Sequence, residues 1–123
     1  MILITGLPNA GKTTYSKQFP NVVHLDDFMK RGRRADEVFT LANAAAKSCG
    51  DDVVVEGVYL KRFRREALIK LFPDAHNVCI FLDTDAKECK RRENRRRLGV
   101  VEHWEKSMEL PVMEEGWDEI III

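Results

Sequence analysis

The stretch Gly6-Leu7-Pro8-Asn9-Ala10-Gly11-Lys12-Thr13-Thr14 constrains this chain more than any other. It matches G-x-x-x-x-G-K-[ST], with the apolar run Ile2-Leu3-Ile4-Thr5 before it and a helix-like stretch after it, the context in which such a loop cradles phosphate. Gly6 and Gly11 permit backbone conformations closed to larger residues, so successive N–H groups can face one anion. A helix beginning near Lys12 aims its positive end at the same place. Lys12 is then the cation for β- and γ-phosphate oxygens, and the Thr13 hydroxyl is the expected Mg²⁺ ligand. Thr14 is placed to hydrogen-bond the α-phosphate, and Asn9 and Ala10 belong to the same cradle. The motif predicts a site for a nucleoside triphosphate.

Five short apolar runs read as buried parallel strands: Met1–Thr5, Val22–Leu25, Val53–Glu56, Asn77–Leu82 and Glu119–Ile123. They are rich in Val and Ile and do not alternate, as expected where both faces of a sheet are covered. Helices are predicted over Lys12–Gln18, Asp36–Ser48, Phe63–Leu71, Asp85–Arg97 and Glu102–Met108. Asp85 and Glu88 stand at capping-box spacing at the start of the fourth. This alternation predicts a three-layer α/β domain with a five-stranded parallel sheet. The 123 residues make one domain, 1–123. In such sheets the ligand sits beyond the carboxyl ends of the strands.

No apolar run approaches the ~20 residues of a membrane span, and no secretory signal pattern precedes the loop. Cys49, Cys79 and Cys89 are odd in number and lack metal-type spacing, and Cys79 falls in an apolar strand as a small buried hydrophobe would. A reducing, cytoplasmic setting is the expectation. Formal net charge is zero but unevenly spread. Basic residues cluster at Lys30, Arg31, Arg33 and Arg34, at Lys61, Arg62, Arg64 and Arg65, and at Lys90, Arg91, Arg92, Arg95, Arg96 and Arg97, each cluster following a strand. They are expected to ring the nucleotide site. The segment beyond them is acidic.

The second strand runs into Asp26-Asp27-Phe28. A carboxylate at that carboxyl end faces the loop that holds the γ-phosphate, where it can take a proton from an attacking hydroxyl. Asp26 is the expected base, with Asp27 its rival, and helix capping is the alternative for either. His24 reads as a strand residue. Glu56, ending the third strand, either meets Mg²⁺ through water or pairs with a nearby Arg, and Gly57 lets the chain bend away. Arg92 and Arg96 share a helix face if the fourth helix persists, as do Arg91 and Arg95. Neutralising charge on phosphate oxygens is most of the chemistry of phosphoryl transfer, and such arginines suit it. A solvated charged face is the plainer reading.

Taken together, these residues resemble the small P-loop kinases related to polynucleotide 5′-hydroxyl kinases. The resemblance rests on Gly6–Thr14, on Asp26-Asp27-Phe28, on the third strand with Glu56, and on Asn94-Arg95-Arg96-Arg97, similar to that family's Asn-Arg-x-Arg lid. It extends to Pro111-Val112-Met113-Glu114-Glu115-Gly116-Trp117, similar to the family's Pro-x-x-x-Glu-Gly-Phe. It implies transfer of the ATP γ-phosphate to the 5′-hydroxyl of DNA or RNA. Asp26 is then the general base, Lys12 and Thr13 the phosphate and metal residues, Arg92 and Arg96 the lid arginines, and Arg95 a further nucleotide contact. The chain departs from the pattern at Met29, where the family usually has an Arg, and at Glu56-Gly57-Val58-Tyr59, which is closer to uridine and nicotinamide riboside kinases. A kinase for a small hydroxyl-bearing metabolite is therefore the alternative. A non-catalytic nucleotide-binding module is a third class. A GTPase is disfavoured, because the chain lacks an Asn-Lys-x-Asp motif.

Overall fold

The computed structural model describes residues 1–93 and 98–123. Five strands, β1 (Ile2–Gly6), β2 (Val22–His24), β3 (Val54–Glu56), β4 (Val78–Leu82) and β5 (Glu119–Ile122), form one sheet in the order β2-β3-β1-β4-β5, every neighbouring pair parallel. The five predicted strands are all present, most of them trimmed or shifted by about a residue at an end, the usual scatter of element boundaries. Around the sheet lie α1 (Lys12–Ser16), α2 (Ala35–Cys49), α3 (Arg62–Ile69), α4 (Ala86–Arg91) and α5 (Val100–Ser107), with 3₁₀ turns over Leu25–Phe28 and Met113–Glu115. This is the predicted three-layer α/β architecture.

Both faces of the sheet are apolar because successive strand residues feed two separate cores. Leu3, Val55 and Cys79, in register across β1, β3 and β4, pack with Val38, Phe39 and Leu68 of α2 and α3. Their neighbours Ile4, Val54 and Ile80 pack on the other side with Cys89 and Val101 of α4 and α5. Burial pushes the Cys79 thiol up to about 12, in keeping with its expected role as a small hydrophobe. Helix α2 buries Val38, Phe39, Ala42 and Ala46, an i, i+4, i+8 stripe, and its acidic first turn and Lys47 near the end suit the helix dipole. Among the described residues no helix is long and apolar enough to cross a membrane.

One predicted element differs in substance. The helix expected over Asp85–Arg97 ends at Arg91. Asp85 caps it, accepting the Lys87 N–H at 2.7 Å, but Glu88 does not complete a capping box. Glu88 instead accepts from Arg91 and Arg92. Glu93 then turns its carboxylate to the start of the next helix, accepting the N–H groups of Gly99 and Val101 at 3.3 and 2.9 Å. Its carboxylate thus serves two amides at the start of α5, which the helix itself leaves unpaired. The expectation that Arg92 shares a face with Arg96, and Arg91 with Arg95, falls on residues outside those described, Arg95, Arg96 and Arg97 among them.

Candidate active site

Strand β1 lies between β3 and β4, so the crossover from β1 to β2 goes to one side of it and β4 is laid down on the other. The carboxyl end of β1 is thus the topological switch point, where α/β sheets open a crevice. The loop Gly6–Gly11 sits there. Gly6 has φ 156°, and a Cβ on it would stand 2.8 Å from the Leu82 carbonyl oxygen of the neighbouring strand, so no side chain fits. The loop then passes through left-handed conformations at Asn9 (φ 68°) and Gly11 (φ 98°) before α1 begins. Ties to the segment after β4 hold it in place: the Thr84 hydroxyl donates to the Ala10 carbonyl at 2.8 Å, Arg92 donates to the Asn9 carbonyl at 3.0 Å, and Asn9 Nδ2 donates to the Cys89 carbonyl at 3.3 Å.

A cavity of about 440 Å³ opens over this loop. Asn9, Gly11, Lys12, Thr13 and Thr14 line it from the loop side. Asp26, Glu56 and Arg92 line it from three other elements. Gly6 lies beneath, and Ala10 faces a separate cavity of about 520 Å³ lined also by Gly11, Thr14, Arg92 and Ile123. Lys12 is nearly buried, and its ammonium donates to the Leu7 carbonyl at 2.8 Å. Asp26 stands in the 3₁₀ turn after β2, exposed and facing the cavity; Asp27 does not line it.

Glu56, 5% exposed, is the centre of a small polar group. Its Oε1 accepts the Thr13 hydroxyl at 3.3 Å and lies 2.8 Å from His24 Nδ1. The His24 contact follows from register, since His24 and Glu56 are directly paired between β2 and β3. Its partner is therefore a histidine and not the arginine that the sequence suggested. Gly57 stands at the expected bend after β3, and a second requirement is added there: a Cβ would stand 2.5 Å from Cβ of Leu25, the residue before Asp26. Close approach of β3 to the 3₁₀ turn is what brings Glu56 and Asp26 to one cavity.

Hard oxygens from Thr13 and Glu56 converging beside the phosphate loop fit Mg²⁺, which keeps most of its waters and needs few protein ligands. Among the described residues no three His, Cys, Asp or Glu side chains gather into a metal cage.

The basic clusters divide. Arg65 is wholly buried, clamping Glu115 through Nε and Nη2 at 2.7 and 2.8 Å. Arg64 pairs with Asp36 at 2.9 Å, and Arg62 with Glu66. Arg91 is held by Glu88, whose carboxyl this hydrogen bond lowers to about 2, and Lys90 by Glu105. Of the described residues in the third cluster, Arg92 reaches the cavity. Met29 and Val58, noted in the sequence only as departures from the family pattern, line the cavity together with Trp104, which the sequence reading missed. An aromatic in the otherwise charged stretch Glu102–Lys106 was the available signal for Trp104.

No protein-family model and no curated protein matches the chain. Solved structures do. It is similar to a gluconokinase from Sinorhizobium meliloti 1021, with TM-score 0.71 and 16% identity over 99% of this chain and 80% of that one. It is also similar to a sugar kinase from Janibacter sp. HTCC2649, with TM-score 0.69 and 17% identity over 99% of this chain and 83% of that one. The chain shares the α/β fold of these two proteins.

Proposed function

We propose that this protein is an ATP-dependent phosphotransferase that moves the γ-phosphate of ATP to a hydroxyl on a small molecule. The observation that carries the reading is the convergence of Lys12 and Thr13 from α1, Asp26 from the 3₁₀ turn and Glu56 from β3 on one cavity over the phosphate loop. Loop amides and Lys12 hold the β- and γ-phosphates. Thr13 would hold Mg²⁺ directly and Glu56 through water, and the ion would there offset charge on the phosphate oxygens. Asp26 takes the proton as the acceptor oxygen attacks phosphorus, and the bond to the ADP oxygen breaks. Arg92, at the loop and facing both cavities, neutralises phosphate charge, with Arg96 and Arg95 proposed to join it from the lid. The cavity beside Thr14 and Arg92 has room for the base.

A small acceptor is favoured over the polynucleotide 5′-end that the resemblance implied. The similar structures are named a gluconokinase and a sugar kinase. Much of the basic charge expected to grip a nucleic-acid backbone is committed to internal pairs with Asp36, Glu66, Glu88 and Glu115. Incubation with labelled ATP, Mg²⁺ and a panel of sugars, sugar acids, nucleosides and 5′-hydroxyl oligonucleotides is expected to label a small molecule. Asp26→Asn should reduce that turnover by ~10²-fold or more with ATP binding intact. Labelling of the oligonucleotide alone overturns the small-acceptor reading, and full activity of Asp26→Asn removes Asp26 as base.

A further inference from the structure

A second cavity, of about 640 Å³, adjoins the first and shares Met29, Val58 and Trp104 with it. Its wall is unusual in chemistry: among its lining residues there is no carboxylate, carboxamide or hydroxyl side chain. Aromatic faces come from Phe39, Phe63 and Trp104, and Phe63 is 57% exposed despite its size. Its charged groups are all cations. Arg64 is fixed between two rings, its guanidinium carbon 4.2 Å from the Phe39 centroid and 4.6 Å from that of Phe63. Arg33 and Lys61 each donate to a backbone carbonyl, of Phe28 and Ser107. The side chains of Lys30 and Arg31, at the same rim, have no hydrogen bond or ion pair among the described residues.

We propose that this cavity takes the acceptor, and that the acceptor is an anion built on an aromatic or otherwise apolar body, not a free polyol; the proposal rests on the phosphotransferase reading. A polyol buried here would bring hydroxyls to a wall without side-chain acceptors, and unmatched polar groups disfavour burial. A planar body matches the exposed Phe63 ring and Trp104. The unpaired cations Lys30 and Arg31 favour negative charge at the mouth. Continuity through Met29, Val58 and Trp104 lets a hydroxyl of the same molecule extend into the first cavity, towards Asp26.

Four probes separate the two features: para-nitrophenyl glucuronide has both, para-nitrophenyl glucoside only the ring, glucuronate only the charge, and glucose neither. Calorimetric titration of the full chain should give the aryl glucuronide a Kd roughly 10-fold or more below each of the others. The double substitution Lys30→Gln, Arg31→Gln should erase its advantage over the aryl glucoside. Phe63→Ala should erase its advantage over glucuronate, and both variants should keep the parent affinity for ATP. Equal or tighter binding of glucose or glucuronate, no measurable binding of the aryl glucuronide, or variants that leave these ratios unchanged overturns the proposal. The parent reading fails separately: an aryl glucuronide that binds as expected but receives no phosphate from ATP, when no other acceptor does either, leaves the cavity's chemistry standing without the kinase.

Discussion

Glu115 and Glu56 are both buried carboxylates, 7% and 5% exposed, and they differ in how their oxygens are used. On Glu115, Oε1 accepts from Arg65 Nε and Trp117 Nε1 at 2.7 and 2.9 Å, and Oε2 from Arg65 Nη2 and the Val112 N–H at 2.8 and 3.3 Å. On Glu56, both contacts fall on Oε1, and Oε2 has no partner among the described residues. A carboxylate saturated by a two-pronged guanidinium, an indole and an amide is committed to holding α3 against the segment before β5. A carboxylate with an oxygen to spare, beside a hydroxyl and a cavity, is available to a group from outside. Charge burial alone does not mark a functional site; the unspent hydrogen-bonding capacity does.

The largest effect should come from breaking the saturated pair. Arg65→Met leaves Glu115 charged and buried without its partner, and should lower unfolding stability by about 3–5 kcal/mol in a urea titration. Glu56→Gln keeps shape and an acceptor for Thr13, and should change stability by less than about 1 kcal/mol. If both variants destabilised equally, Glu56 would be as structural as Glu115 and the contrast would be lost.

The next effect runs the other way. Glu56→Gln should cut phosphoryl transfer, or raise the Mg²⁺ concentration needed for it, by roughly 10–100-fold, the usual scale for a group holding a metal-bound water. Initial rates across a Mg²⁺ titration measure it. Arg65→Met, assayed where it remains folded, should keep the parent Mg²⁺ dependence. An unchanged Mg²⁺ profile in Glu56→Gln would remove Glu56 from the metal and return it to a partner of His24.

These two carboxylates also divide what the sequence made legible. The phosphate loop is local: nine consecutive residues, flanked by a strand and a helix, define its geometry, and the apolar runs define the sheet by composition alone. Glu56 was legible as a strand-end carboxylate. Its contact with His24 was not, because it depends on which strands become neighbours, and β3 inserts between β1 and β2. Glu115 was noticed as part of a family-like segment, yet its partner Arg65 lies 50 residues away in a cluster that looked like a phosphate-binding rim. A run of basic residues carries no record of which members the fold will bury. The role of Glu93 was hidden for a similar reason, since it serves the start of α5 through contacts six and eight residues on and helical propensity is blind to them.

The smallest effect sharpens the contrast through pH. Burial alone would raise the Glu115 carboxyl, but hydrogen bonds from Arg65 and Trp117 outweigh it and hold it below the ordinary value of 4.5. Above that value the carboxylate is charged in both folded and unfolded chains and its contribution is complete. As pH falls below it, the unfolded chain takes up the proton first, so stability declines until the folded carboxyl is protonated too. One such group gives a slope of at most about 1.4 kcal/mol per pH unit. Glu88, also depressed by its bond to Arg91, slopes the same way but at the surface, where solvent screens it. Urea midpoints taken from neutral pH down to the acid limit should therefore fall for the parent chain and fall less steeply for Glu115→Gln. Glu56→Gln is the control, and parallel curves for the parent and Glu115→Gln would mean that Glu115 carries no net linkage and that the saturation seen around it does not translate into preference for the charged form.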